Sequence, residues 1–336
     1  MAKSVKMADI AAKLGVSTVT VSKALSGQKG VSAEVRERIV RLAEEMGYQR
    51  PSAREEEKKR SFNIGVIVSG SYIEKYATFY WELYQELNTA SAQRNCFVLL
   101  EILNASDEKA MIPPKLLKEN KVDGLIVLGA LRNSYLKMIR DHYATPTVYM
   151  DFYDPGVQED SVISNSFYGT YHLTNYLYSK GHKNIAFVGT VLATNSITDR
   201  YLGYMKSIIE HQGQLREDWI IEDRDQERNN FETFTLPTEM PTAFVCNCDM
   251  TASSLIRTLR AAGYRVPKDI SVVGFDDYLF PGLCDIPLTT YAVNMEGMAD
   301  SGIRLLIKKM NGKETSQGMH MIEGHFIERA SVKSLE

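Results

Sequence analysis

Long apolar runs are missing from these 336 residues: no stretch approaches the ~20 consecutive apolar residues that a bilayer span requires. The N-terminal segment also lacks the apolar core of a signal peptide, so a cytoplasmic protein with no membrane partner is expected. Cysteine is scarce. Cys96, Cys246, Cys248 and Cys284 show no disulfide-framework spacing. Cys246-x-Cys248 has no second Cys pair or His nearby; on a strand the two thiols would share a face, which points to packing and not to zinc. Catalytic signatures are missing too. There is no Gly-x-Gly-x-x-Gly, Walker loop, Gly-x-Ser-x-Gly or His-Glu-x-x-His, and the six His are scattered. Neither an enzyme nor a cofactor is expected.

The first fifty residues are the most informative part. Val5–Leu14 has a helical pattern with Ile10, Ala11 and Leu14 on one face; Gly15 stops it and Val16 buries the turn. Ser17 is placed to cap a second helix, Thr18–Leu25, its hydroxyl accepting from a free backbone N–H. A third helix starts at Ser32 and ends at Gly47, with Val35, Ile39, Leu42 and Met46 forming one core-facing stripe. Three short helices with a tight turn between the first two match the motif that lays its second helix in the DNA major groove. On that helix Thr18, Val19, Ser22 and Lys23 point outward. Hydroxyls and a Lys can donate to bases or phosphates, and Val19 can rest on a thymine methyl. With Ser17 and Thr20 at the helix start and Lys29 and Ser32 beyond it, these are the candidate DNA-binding residues. Residues 1–61 hold 13 Lys+Arg against 8 Asp+Glu, a net +5, while the remainder holds 26 against 34, a net −8. A basic head on an acidic body is the split expected when only the head meets nucleic acid.

From Asn63 onward, strands alternate with helices. Ile64–Val68, Phe97–Leu103, Gly124–Leu128 and Thr147–Met150 read as strands of a first half; Ile185–Val188, Ala243–Cys246 and Ser271–Phe275 read as strands of a second. Helices are expected between them, including one through Leu116 and Leu117 and one from Asp199. Two runs of βα units predict two doubly wound parallel lobes, whose strand ends can face one ligand cleft. The fold class is therefore α/β, a three-helix head on a two-lobed body.

Several segments in order carry a specific resemblance. Asp9-Ile10-Ala11, Gly15-Val16-Ser17 and Thr20–Leu25 in the head, then Gly181–Ala186, Arg200–Tyr204, Val266–Asp277 and Leu288-Thr289-Thr290 in the body, are similar to the lactose-repressor/galactose-repressor (LacI/GalR) family. The resemblance implies a dimeric repressor of operator DNA, its body like a periplasmic sugar-binding protein and its effector a sugar, with a nucleobase or phosphorylated metabolite left open. It implies a head over 1–48, a hinge over 49–61 and a body over 62–336. Lobe one would take about 62–161 and 293–320, and lobe two about 162–292 and 321–336. Arg200, in Arg-x-x-Gly, and Asp276, in Gly-Phe-Asp-Asp, are implied effector contacts, as is Asp151 after the strand Thr147–Met150. A planar guanidinium suits paired hydroxyls. Tyr72, Phe79 and Tyr80 stand where an aromatic platform is usual. Cys248 replaces a usual Asn, and Cys is a weak donor; Asn247 or Asp249 could compensate. His182 reads as structural.

Two more expectations come with the resemblance. Met295–Met310, with Met298, Ala299, Gly302, Leu305 and Leu306 at helical spacing, is placed at a subunit interface, and the lack of a heptad tail predicts a dimer and no tetramer. In the hinge, Glu56 occupies the position of the Leu that wedges into the minor groove, between Glu55 and Glu57. A carboxylate cannot unstack bases favourably, so Glu55–Glu57 are expected to begin a solvated helix paired with Lys58, Lys59 and Arg60. The alternative to a regulator is a free-standing sugar- or nucleobase-binding protein without DNA activity.

Overall fold

The computed structural model describes residues 5–46, 48, 61–73, 78–154, 156, 159–225, 235–278, 282, 284–313 and 318–335. The chain divides into two compact units, Met1–Arg60 and Ser61–Glu336. The hinge expectations for Glu55–Glu57 and Lys58–Arg60 lie outside the described residues, as does Gly47.

The first unit holds α1 (Met7–Leu14), α2 (Thr18–Ser26) and α3 (Ala33–Glu45). α1 starts two residues later than its apolar pattern suggests, because Lys6 is extended and its backbone N–H is taken by Asp9. Gly15 ends it at φ 65, a left-handed angle open to Gly without strain. Ile10, Ala11, Val21, Ala24, Ile39 and Ala43 are buried together, with Leu14, Val16, Val35, Leu42 and Met46 packed around them. Burying this small shared core, more than helix propensity, holds such short helices.

The second unit opens with β1 (Asn63–Ser69), α4 (Phe79–Ala92), β2 (Phe97–Leu103), the short α5 (Ala105–Lys109) and α6 (Lys115–Lys118), and β3 (Gly124–Leu128). The helix expected through Leu116 and Leu117 is the short α6, because α5 stops at Lys109 and Pro113-Pro114 restarts the chain. Next come α7 (Asn133–His142), β4 (Thr147–Met150) and β5 (Ser161–Ser164). The chain then crosses to α8 (Ser166–Ser179), β6 (Ile185–Val188), α9 (Asn195–Glu210), β7 (Ile220–Ile221), β8 (Ala243–Cys246), α10 (Asp249–Ala261) and β9 (Ser271–Val273). α9 begins before Asp199 because Thr194 caps it, accepting from Ile197 N–H. β10 (Thr290–Ala292), α11 (Met295–Met310), β11 (Met319–Ile322) and β12 (His325–Ile327) follow.

β11-β5-β4-β3-β1-β2 form a six-stranded sheet and β7-β6-β8-β9 a four-stranded one, all parallel; β10 pairs antiparallel with β12. Central strands are buried on both faces, which is why they read as unbroken apolar runs. β5 and β11 pair with each other, so the six-stranded sheet takes in Ser161–Ser164 and Met319–Ile322.

α11 departs from expectation. Met298, Ala299, Gly302, Leu305 and Leu306 are buried within the chain, where the helix packs on α4 and on β3, β4 and β5. Its apolar stripe belongs to lobe one's own core and not to a subunit contact.

Candidate functional site

In the head, Ser17 Oγ accepts from Thr20 N–H at 3.1 Å and meets Thr20 Oγ1 at 2.9 Å, fixing the entry to α2. Thr18, Ser22 and Lys23 are exposed, and Val19 is 60% exposed despite being aliphatic. Ser32 caps α3, accepting from Val35 N–H. Lys29 is exposed on the intervening loop, which Arg36 steadies by donating to Gln28 O at 2.6 Å. The exposed row on α2 thus carries two hydroxyls, a methyl-bearing side chain and an ammonium, on a helix whose other face is core. Such a face can donate to acceptors and contact a methyl, the two things base edges in a major groove ask for.

In the body, the carboxyl ends of the strands bring the candidate effector residues towards one cleft. On the side of lobe one, Tyr80 donates to Asp151 Oδ2 at 2.8 Å, and its ring lies 4.6 Å from that of Tyr72. Phe79 stands edge-on to Tyr80, and Tyr72 donates to Ala130 O. Gly129, at φ 75, makes room: a Cβ there would lie 2.9 Å from the Tyr72 ring and 3.1 Å from that of Tyr80. On the side of lobe two, Arg200 is buried. Its Nη2 donates to Asp276 Oδ1 at 3.0 Å, Nη1 to Asn247 O at 2.5 Å and Nε to Ser166 Oγ at 3.3 Å, and its guanidinium lies 3.9 Å from the Phe275 ring centre.

Asp151 and Asp276 both sit at left-handed φ, 64 and 103. Side chains rarely hold such angles without strain, and strain of this kind gathers at functional sites. Burial pushes the Asp151 carboxyl up to about 6, although Arg200 and the Tyr80 hydrogen bond pull it down; Asp276 across the cleft adds to the rise. Burial also raises Asp276, with Arg200 opposing. Tyr72 is pushed up to about 12 by burial and then by Asp151.

The next three candidates hold the frame. Asn247 Nδ2 donates to Val188 O, Asp223 and Thr251, and its Oδ1 accepts from Arg224. Asp249 is 2% exposed; it accepts from Thr290 Oγ1 at 2.8 Å and Tyr278 N–H at 3.1 Å, tying the start of α10 to the ends of β9 and β10. Cys248 is not on a strand with Cys246. It is the N-cap of α10, its Sγ accepting from Thr251 N–H. His182 is buried between Thr242 and Lys333 O.

Two features escaped the sequence reading. After β7, Asp223 and Arg224 form a buried ion pair at 2.8 Å. Burial alone would raise the Asp223 carboxyl, but hydrogen bonds from Arg224, Thr251 and Asn247 take it down to about 2. β7 is two residues long and the segment around it has no periodicity, so only proximity to Asn247 reveals the pair. Tyr153 donates to Asp199 at 3.3 Å, linking the end of lobe one to α9 of lobe two. Beside the cleft lies a pocket of about 380 Å³ lined by Glu82, Glu86, Asp276, Asp277 and His325, among others.

Residues 6–51 match the family described as bacterial regulatory proteins, lacI family, and residues 174–332 match the periplasmic binding protein-like domain. The chain is 30% identical over 338 residues to the HTH-type transcriptional regulator RegA of Clostridium saccharobutylicum, covering 98% of this chain and 99% of that one. To the HTH-type transcriptional repressor PurR of Pasteurella multocida it is 27% identical over 332 residues, with 97% and 98% covered. Among solved structures, the lac repressor dimer bound to operator and the anti-inducer ONPF superimposes with a TM-score of 0.65 at 23% identity, covering 98% of this chain and all of that one. The regulator CelR in complex with cellobiose gives 0.70 at 23% identity, with 97% and 99% covered.

Proposed function

The chain belongs to the lacI family of bacterial regulatory proteins, and from that premise we propose that it is a cytoplasmic homodimeric repressor whose hold on operator DNA is set by a sugar-class effector in the cleft. The observation that carries the reading is the joining, in one chain, of an outward Thr18–Val19–Ser22–Lys23 face to a cleft where Asp151 and its tyrosines face Arg200 and Asp276. The first can enter a major groove; the second can present donors and acceptors to adjacent hydroxyls. Relatives named as repressors, and CelR, named with its cellobiose, support the same pairing of roles. No helix among the described residues is long and apolar enough to cross a membrane.

In this reading α2 reads bases, Ser17 and Ser32 set the helix ends, and Thr20 and Lys29 flank the contact. Tyr72, Phe79, Tyr80, Asp151, Arg200 and Asp276 touch the effector, while Asn247, Cys248 and Asp249 shape its floor. The test is a mobility shift on the chain's own promoter DNA. Lys23→Ala is expected to weaken binding and to flatten its salt dependence, because a lost phosphate contact releases fewer counterions. Val19→Ala is expected to relax preference at one thymine, at a cost of about 1–3 kcal/mol. Unchanged affinity and preference in both variants would refute the placement of the reading helix. A thermal-shift screen of sugars, nucleobases and nucleosides identifies the effector, since a ligand at ~100 times its Kd stabilises the fold by ~2.7 kcal/mol.

A further inference from the structure

Charge balance in the cleft separates ligand classes. Among the described residues, the two guanidiniums of the cleft already hold a carboxylate of their own: Arg200 pairs with Asp276 at 3.0 Å and Arg224 with Asp223 at 2.8 Å. Asp151 has no such partner among the described residues. Tyr80 donates to it, and no Lys, Arg or His among the described residues lies within ion-pairing distance of its carboxylate. An ionised carboxylate has about four acceptor positions, so one hydrogen bond leaves most of its capacity unused. Holding such a group partly out of water is unfavourable until donors reach it. Beside it stand the tilted rings of Tyr72 and Tyr80, and aromatic faces attract cations. Arg200 draws on Asp151 from across the cleft and Asp276 opposes that pull, but no ion pair is closed on the Asp151 carboxylate among the described residues.

Taking the cleft as the effector site, we propose that its ligand carries a protonated amine among its hydroxyls, as an amino sugar does. The ammonium lies against Asp151 and the Tyr72–Tyr80 pair, and the hydroxyls meet Arg200 and Asp276. The same balance disfavours phosphorylated and carboxylated ligands: a further negative charge would enter beside Asp151 with Arg200 and Arg224 already matched. The raised pKa of Asp151 agrees, because a cation is what would restore its charged form.

The experiment is calorimetric titration of the full chain at pH 7 with D-glucosamine, D-galactosamine and D-mannosamine, each beside its parent hexose, and with D-glucose 6-phosphate. At least one hexosamine is expected to bind ten- to a hundredfold tighter than its hexose, and the phosphate to bind weakest. Asp151→Asn keeps the shape and still accepts from Tyr80; it is expected to erase the hexosamine advantage, and a cooperative thermal melt shows that the variant is folded. Equal or tighter binding of a hexose or the phosphate, or a hexosamine advantage that survives in Asp151→Asn, overturns the amine while leaving the cleft as the effector site. If no member of the panel binds, the cleft reading and the amine fall together.

Discussion

Arg200 shows how much one side chain can carry. It satisfies three acceptors and covers a ring while almost wholly removed from water. Arg200→Ala would leave Asp276 as a buried charge without its counterion, and breaking such a pair from one side typically costs roughly 3–5 kcal/mol. A lowered urea midpoint at unchanged slope is the expected result. Asp276→Asn keeps an acceptor for Arg200 and is expected to cost clearly less; an equal loss would show that the pair is not what holds the site. Asp151 makes a second prediction. Its folded pKa, about 6, lies above its ordinary value of 3.8, so its neutral form is favoured in the fold. The corresponding stability is full below about pH 4 and is lost as pH rises through about 6. Asp151→Asn should therefore flatten the ligand-free stability profile across that window, as melts in matched buffers would register. At this scale the sequence was only half legible. The motifs around Arg200 and Asp276 could be read, but their contact, 76 positions apart, is written in no spacing. Nor did any pattern expose Arg224, which follows a strand of two residues.

Elements were easier to read than contacts, because apolar periodicity records which face is buried. The three head helices and the central strands of both sheets follow their patterns closely, since each has one clear place to put its apolar residues. α11 shows the limit. Its stripe was visible, but a stripe does not say what covers it, and here the cover is α4 and lobe one's sheet. The short pairings of β10, β11 and β12 were missed because their alternation is weak and their partners are distant. The packing of α8 on α9 gives a prediction at this scale. Gly203 lies so close to the Phe167 carbonyl that a Cβ would collide with backbone. Gly203→Ala must push the two helices apart, moving Arg200 away from Ser166. Overpacking of this kind costs about 1–3 kcal/mol, more than the ~1 kcal/mol that Ala gains over Gly in a helix. A lower thermal midpoint together with weakened effector binding is expected; a variant more stable than the parent would contradict the contact.

For the whole molecule, a single three-helix head can cover only one half-site, so specific binding requires two. With the apolar stripe of α11 buried in lobe one, the edge strand β2 is an apolar surface left bare: Phe97 is 65% exposed at its start and Ile102 is exposed near its end, on the other face. An apolar edge strand left bare invites pairing and aggregation, so Phe97→Lys is expected to shift sedimentation from dimer towards monomer and to weaken operator binding. A variant that remains dimeric would place the interface elsewhere. The split of charge, +5 before residue 62 and −8 after it, further implies that binding falls steeply with salt. The threading of lobe one also matters for the order in which the molecule is made. Its sheet needs β11, drawn from Met319–Ile322, beside β5, while the head is complete within the first fifty residues. Chains leave the ribosome N-terminus first, and domains fold as they emerge. The head therefore becomes competent for DNA long before lobe one can close, and a chain cut short ahead of Met319 would carry the reading helix without the finished cleft that controls it.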